Sequence, residues 1–158
     1  MKTKDILKLV ASIFFCQLAG FLGSLFTTPS IPTWFETLKK PFFTPPSWIF
    51  SPVWISLYVL MGISLLIVWR RNDHPGFKTA LIFFFIQLIL NILWSISFFG
   101  LRSPFLGLID IALLWIAILI TIRFFLRVSK TAAILLLPYS VWVSFAVLLN
   151  FFLWILNL

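Results

Sequence analysis

The sequence predicts an all-α membrane protein, a bundle of five transmembrane helices with a long first loop acting as a lid. Three observations carry the prediction. The chain contains five nearly charge-free stretches, each matching the roughly 20 apolar residues that a helix needs to cross a bilayer core. Its 158 residues are 62% hydrophobic and 10% charged, with a mean hydropathy of +1.13, far from the composition of a soluble domain. The 12 Lys and Arg residues gather at the ends of these stretches.

The stretches run in order along the chain. Between Lys8 and Glu36 no residue is charged, and a first span is predicted at about 7–26. The uncharged run between Lys40 and Arg70 predicts a second span at about 51–69. Residues 79–101 predict a third at about 79–99. Residues 103–122, interrupted only by Asp110, predict a fourth at about 105–126. Residues 131–158 predict a fifth at about 132–156. Each must be a helix, because a single span in lipid has to satisfy its own backbone N–H and C=O groups. Little chain is left over, so 1–158 reads as one membrane domain. Lys2, Lys4 and Lys8 ahead of an apolar run resemble a signal peptide. The run is too long for such a segment and no small-residue cleavage site stands out, so a retained first helix is expected.

Lysine and arginine are unevenly shared between the two sides. Lys2, Lys4, Lys8, Arg70, Arg71, Lys78, Arg123, Arg127 and Lys130 fall on one side, and Lys39, Lys40 and Arg102 on the other. The positive-inside rule therefore predicts a cytoplasmic N-terminus and an outside C-terminus. The same placement explains the net charge of +8 without nucleic acid. Cys16 is the only cysteine, which excludes an intrachain disulfide and argues against a thiol metal site.

The first connection, residues 27–50, is long, aromatic and stiffened by Pro29, Pro32, Pro41, Pro45 and Pro46. Thr33 followed by Glu36 has the spacing of a capping box, predicting a short helical turn that Pro41 stops. The Pro45-Pro46 doublet predicts an extended segment. Loops of this length are usually functional or disordered, and this one is too aromatic for disorder. A lid over the outer end of the bundle is expected, against the alternative of a segment lying among the headgroups.

Polar residues inside membrane helices tend to face the bundle interior. Gln87, Asn91, Trp94 and Phe98 share one face of the third span. Tyr139, Trp142, Ala146 and Asn150 share one face of the fifth; Trp54, Tyr58 and Met61 do so in the second, and Gln17, Gly20 and Ser24 in the first. Converging, these faces would build a cavity with flat aromatic walls and a few neutral hydrogen-bonding groups, suited to a large flat apolar ligand. The same amides also serve as interhelical glue, worth about 0.6–2 kcal/mol each, and both readings stay open. Trp69 and Trp154 read as interface anchors. Asp110 is the only acid within a span, with Arg102 as a candidate partner on the same side.

Soluble-enzyme chemistry is not visible. His74 is the only histidine and sits in a loop beside Asp73 and Pro75. No His, Cys and acid set has metal-ligand spacing, no nucleophile has a base and an orienting group, and no glycine-rich phosphate loop follows a strand.

Three blocks resemble a known family. Trp34 to Gly62, WFETLKKPFFTPPSWIFSPVWISLYVLMG, is similar to the signature of the translocator protein family, TSPO, also called tryptophan-rich sensory proteins, in its prokaryotic type. QLILNILWSISFFGLR (Gln87 to Arg102) resembles its third helix, and LPYSVWVSFAVLLNFFLW (Leu137 to Trp154) its fifth. The resemblance implies a five-helix bundle in a prokaryotic cell envelope, commonly a homodimer, with a pocket closed by the first loop. It implies tetrapyrroles such as protoporphyrin as ligands, without a required cofactor or metal. By position, Trp54, Asn91, Trp94, Trp142, Phe145, Ala146 and Leu149 would line the pocket. Trp34, Pro45, Pro46 and Trp48 would belong to the lid. Trp54 and Trp142 match tryptophans implicated in light-dependent porphyrin breakdown by some bacterial members, and are the candidate catalytic residues. Lys40 and Arg102 are placed to meet a porphyrin propionate or to act as interfacial charges. The animal sterol motif is broken here at Phe151 and Ile155, so sterol binding is not carried over. The third span lacks a G-x-x-x-G, so a dimer rests on the resemblance alone. Three functions follow: a membrane binding or sensory protein for porphyrins, a light-dependent porphyrin-degrading enzyme, or a small transporter that uses Asp110.

Overall fold

A computed structural model of the chain describes residues 3–158. Its long elements are helices α1 (Thr3–Thr33), α2 (Phe50–Trp69), α3 (Phe77–Ser95), α4 (Pro104–Val128), the short α5 (Lys130–Leu135) and α6 (Leu137–Leu156). With the turns that extend them, they make five helical rods long and apolar enough to cross a membrane, as the sequence predicts. Helix α3 packs on α4, α1 on α2, and α4 on α6, while α2 barely touches α3. The gap this leaves between α1, α2, α3 and α6 is where the cavity lies.

The first helix corrects the predicted boundary. It runs to Thr33 instead of ending near residue 26, straight through Pro29 and Pro32. At 31 residues it is about 46 Å long, more than the hydrocarbon thickness, so its last turns lie beyond the apolar core. Proline removes an N–H donor, so Pro29 and Pro32 leave the carbonyls of Leu25 and Thr28 without their usual partners. The turn is steadied by other bonds: Thr33 Oγ1 donates to Pro29 O at 2.7 Å, and Ser30 Oγ donates across to Phe99 O at 2.9 Å. Thr33 is therefore not an N-cap. Trp34 takes that position for the 3-10 turn Phe35–Thr37, without a side-chain cap. The lid is correspondingly shorter than 27–50, beginning at Trp34.

The other ends agree closely with the expected spans, with local irregularities of clear origin. Helix α3 continues as a π-turn, Ile96–Gly100, which closes with Leu101 N donating to Ile96 O at 2.7 Å. Ser103 caps α4 by accepting from Leu106 N, and Pro104 occupies its first turn, where a missing N–H matters least. The fifth rod is broken at Leu136. Pro138 lacks the N–H that would bond Ile134 O and its ring crowds that carbonyl, so α5 and α6 form separate segments.

The basic clusters meet at one end. Arg70 pairs with Asp5 at 3.3 Å, Arg71 Nη1 donates to Val128 O at 2.6 Å, and Lys8 lies over Trp69. The lid and the C-terminus meet at the other end through Lys39 and Asn157. Glycine lets helices approach: a methyl on Gly62 would come within 2.8 Å of the Ile13 backbone, so α1 and α2 touch there at backbone distance.

Candidate functional site

A cavity of about 440 Å³ lies inside the bundle, within the size range of small-molecule sites. Four helices and the lid contribute to its wall, while α4 contributes nothing. Each helix brings the polar face that the sequence singles out. Gln17, Gly20 and Ser24 face it from α1, Trp54 and Tyr58 from α2, Asn91 and Trp94 from α3, and Trp142, Ala146, Leu149 and Asn150 from α6. Among the described residues, no charged side chain lines it.

The aromatic wall is continuous. Trp54 stacks on Tyr58 with ring centres 5.6 Å apart, and lies 6.1 Å from Trp94 at a shallow interplanar angle of 32°. Trp94 in turn stacks on Phe98 at 5.9 Å. Across the cavity Trp142 meets Phe50 edge-on at 6.1 Å. These rings pack on one another as they line the cavity, so its wall is aromatic and largely apolar.

Behind the wall runs a buried hydrogen-bond chain. Tyr58 Oη donates to Asn91 Oδ1 at 2.5 Å, Asn91 Nδ2 donates to Tyr139 Oη at 2.9 Å, and Tyr139 Oη donates to Gln87 Oε1 at 2.9 Å. Gln87, Met61 and Tyr139 belong to the expected polar faces but sit in the core behind the cavity. Gln87 joins α3 to α6 through Tyr139, as the interhelical-glue alternative expects, while shallower residues of the same stripes line the cavity. A second polar contact joins Trp94 Nε1 to Asn150 Oδ1 at 3.3 Å.

Several expected positions are corrected. Phe145 does not line the cavity; it packs against Trp142 and Phe43, one helical step around α6 from Ala146. Trp34, Pro45, Pro46 and Trp48 fall in the lid segment between α1 and α2, outside the residues that line the cavity. Trp34 packs on Phe98 and Phe99 outside the cavity wall, Pro46 is exposed, and Trp48 is 72% exposed. The lid closes the cavity through Phe35, which is 3% exposed, beside Phe50 at the start of α2. The signal that could have found Phe35 is its place between the end of α1 and Glu36, where an apolar side chain must turn inward. Asp110 forms no ion pair with Arg102. It faces α3, where Ser97 Oγ in the π-turn donates to its carboxylate.

The lid is clasped at both edges. Ser47 Oγ donates to Glu36 Oε1 at 2.7 Å and Lys40 approaches the same carboxylate at 3.6 Å, holding the Glu36 carboxyl below its ordinary range. Lys40 Nζ also lies 5.0 Å over the Phe35 ring. Asn157 ties the lid to the end of α6, accepting from Lys39 N and donating to Lys39 O, both at 2.9 Å. On the opposite side the wall is thin: Phe21 on α1 and Ile55 on α2 line the cavity and are 60% and 56% exposed, so this flank faces lipid.

Five apolar helices, four of them around a charge-free cavity of small-molecule size, define an integral membrane protein built around an internal chamber. The chain belongs to the TspO/MBR family, which matches residues 12–155. It is 51% identical to the tryptophan-rich protein TspO of Archaeoglobus fulgidus, over 97% of this chain and 99% of that one. It is 47% identical to the tryptophan-rich protein TspO of Chlorobaculum tepidum, over 94% of each chain. The translocator protein of Bos taurus is 37% identical, over 87% of this chain and 83% of its own.

Proposed function

We propose that this protein binds flat, largely apolar tetrapyrroles of the protoporphyrin or haem type inside the bundle, as a membrane binding or sensory protein. The observation that carries the reading is the cavity wall: Trp54, Trp94 and Trp142 line a charge-free space with a few neutral polar groups. The family membership supports it. So does the name of a relative from Cereibacter sphaeroides, a tryptophan-rich sensory protein 34% identical to this chain. The ligand needs no cofactor. Lys40, over the ring of Phe35, is placed to meet a propionate left outside the cavity. The protein works as a homodimer, with its N-terminus in the cytoplasm and its C-terminus outside a prokaryotic envelope membrane.

The test is a protoporphyrin titration in the dark, followed by tryptophan fluorescence, beside Trp142→Phe. Saturable quenching that weakens several-fold in the variant is expected. Non-saturable quenching identical in both proteins would mean that porphyrin only partitions into the micelle, and would overturn the reading.

A second reading, light-dependent porphyrin degradation, is favoured by one observation: Trp54 and Trp142 both line the cavity, and Trp54 is in ring contact with Trp94 and Tyr58. Illumination of the same samples separates the two. Loss of the Soret band that Trp142→Phe abolishes would make the protein an enzyme, and unchanged decay in the variant would remove that reading.

A further inference from the structure

Helix α4 contributes nothing to the cavity wall, yet it carries Asp110, an acid placed inside a membrane span. Such groups are costly in lipid and persist where they serve function. Among the described residues Asp110 pairs with no cation, and its hydrogen bond comes from Ser97 Oγ. Ser97 belongs to the π-turn Ile96–Gly100, a widened turn of a kind that is rare in helices and recurs at functional sites. Its carbonyl is held as well, accepting from Ser103 N at 3.3 Å. The next two residues, Phe98 and Phe99, line the cavity with ring centres 4.8 Å apart. Phe35, through which the lid closes the cavity, packs on both, at 6.3 Å and 5.9 Å. Trp34 packs on the same two rings. The π-turn is therefore the seat of the lid. Helix α4 reaches that seat at a second point: a methyl group on Gly107, one turn before Asp110 on the same face, would come within 2.5 Å of the Phe98 ring.

We propose that Asp110 is a positioning residue for the cavity: by accepting from Ser97 it holds the π-turn in the geometry that sets Phe98 and Phe99 under Phe35. The lid is thus kept closed from a helix that lines none of the cavity. The physical reason is the turn itself. Relaxing a π-turn toward α geometry swings its side chains around the helix axis, by up to about 100° for one residue, and takes the two rings away from Phe35. A tie from Ser97 to a neighbouring helix opposes that swing. General interhelical adhesion would instead spread its effect over the whole bundle. The proposal deepens the proposed function and rests on its lidded cavity, but not on the identity of the ligand.

Hydrogen exchange of the full chain in lipid nanodiscs, without ligand, tests this. Three amides report: Leu101 N–H, which closes the π-turn on Ile96 O, and Thr37 and Leu38 N–H, which close the turn that carries Phe35. Asp110→Ala should accelerate all three roughly fivefold and leave the amides of α2 and α6 unchanged. Ser97→Ala should do the same, and carries the test if Asp110→Ala fails to fold. The double variant should go no further than either single one, because the two residues act through one bond. Asp110→Asn, which keeps an acceptor oxygen for Ser97, should restore slow exchange. Unchanged exchange at Thr37 and Leu38 in Ser97→Ala would overturn the proposal. So would acceleration shared equally by every helix, which would assign the pair to bundle stability, or Asp110→Asn exchanging as fast as Asp110→Ala. Protoporphyrin that fails to bind beside a lid that loosens in these variants would remove only the tetrapyrrole reading.

Discussion

Asn157 is joined to Lys39 by two hydrogen bonds of 2.9 Å, its side-chain amide pairing with the N–H and C=O of one lid residue as a neighbouring strand would. A third bond, from Asn157 Nδ2 to Leu153 O at 2.7 Å, fixes that amide to the last turn of α6. The C-terminal end of the bundle thus hydrogen-bonds the lid through the Asn157 side chain, beside the packing of Phe43 on Phe152. Asn157→Ala should leave the helices intact and loosen residues 38–46 by about 1–2 kcal/mol. Hydrogen exchange of the lid amides should accelerate roughly tenfold, with helix amides unchanged. Unaltered lid exchange would show that Phe35 and Phe43 hold the loop by packing alone.

The opposite edge of the lid is sensitive to acid. Ser47 donates to the Glu36 carboxylate and Lys40 sits beside it, so the folded protein favours the ionised form. A carboxyl depressed in the folded state contributes stability above its unfolded pKa and loses it as pH falls through the folded value. Lid exchange, corrected for intrinsic rates, should be flat from roughly pH 5 to 8 and rise below about pH 4. Glu36→Gln should show the looser lid at every pH and no acid step. An acid step that persists in the variant would place the sensor elsewhere.

Ala146 offers a way to fill the chamber. It lines the cavity next to Trp142 and Leu149, and its small side chain is part of what leaves the space empty. Ala146→Phe should reduce porphyrin affinity at least tenfold while circular dichroism stays helical, because the new ring projects into void instead of into packed core. Full affinity in this variant would move the ligand out of the chamber.

Asn91 bridges three helices through Tyr58 and Tyr139. Asn91→Leu leaves the buried Tyr58 hydroxyl without an acceptor and should destabilise the fold by about 1–2 kcal/mol. The thermal midpoint in detergent, measured without ligand, checks this. A variant as stable as the wild type would mean that the tyrosines find other partners at no net cost, as happens for some intramembrane hydrogen bonds.

How much was legible in the sequence follows the range of the forces involved. The five spans depend on local hydrophobicity and on the backbone's need to bond itself in lipid, and both can be read from a stretch of about 20 residues. The faces bearing Gln17, Trp54, Asn91 and Trp142 depend only on helical periodicity, and those faces do line the chamber. The end of α1 was hidden because Pro29 and Pro32 read as breakers, while the bond that steadies that turn comes from Ser30 to Phe99 on another helix. Within each stripe, depth was equally invisible. Trp54 and Met61 share a face of α2, yet one lines the chamber and the other is sealed behind it.

By itself, then, the sequence determined the solvent, the number of helices, the polar face of each and the family resemblance, all consequences of composition and period. Only the tertiary structure decided that Phe35 and not Trp48 closes the chamber, that Phe145 turns away from it, and that Ser97 rather than Arg102 meets Asp110. It also decided that Asn157 reaches back to Lys39. The reason is geometric. Which side chains meet depends on how each helix is rotated and crossed against its neighbours, and that is set by close contacts such as Gly62 on Ile13 between residues far apart in the chain.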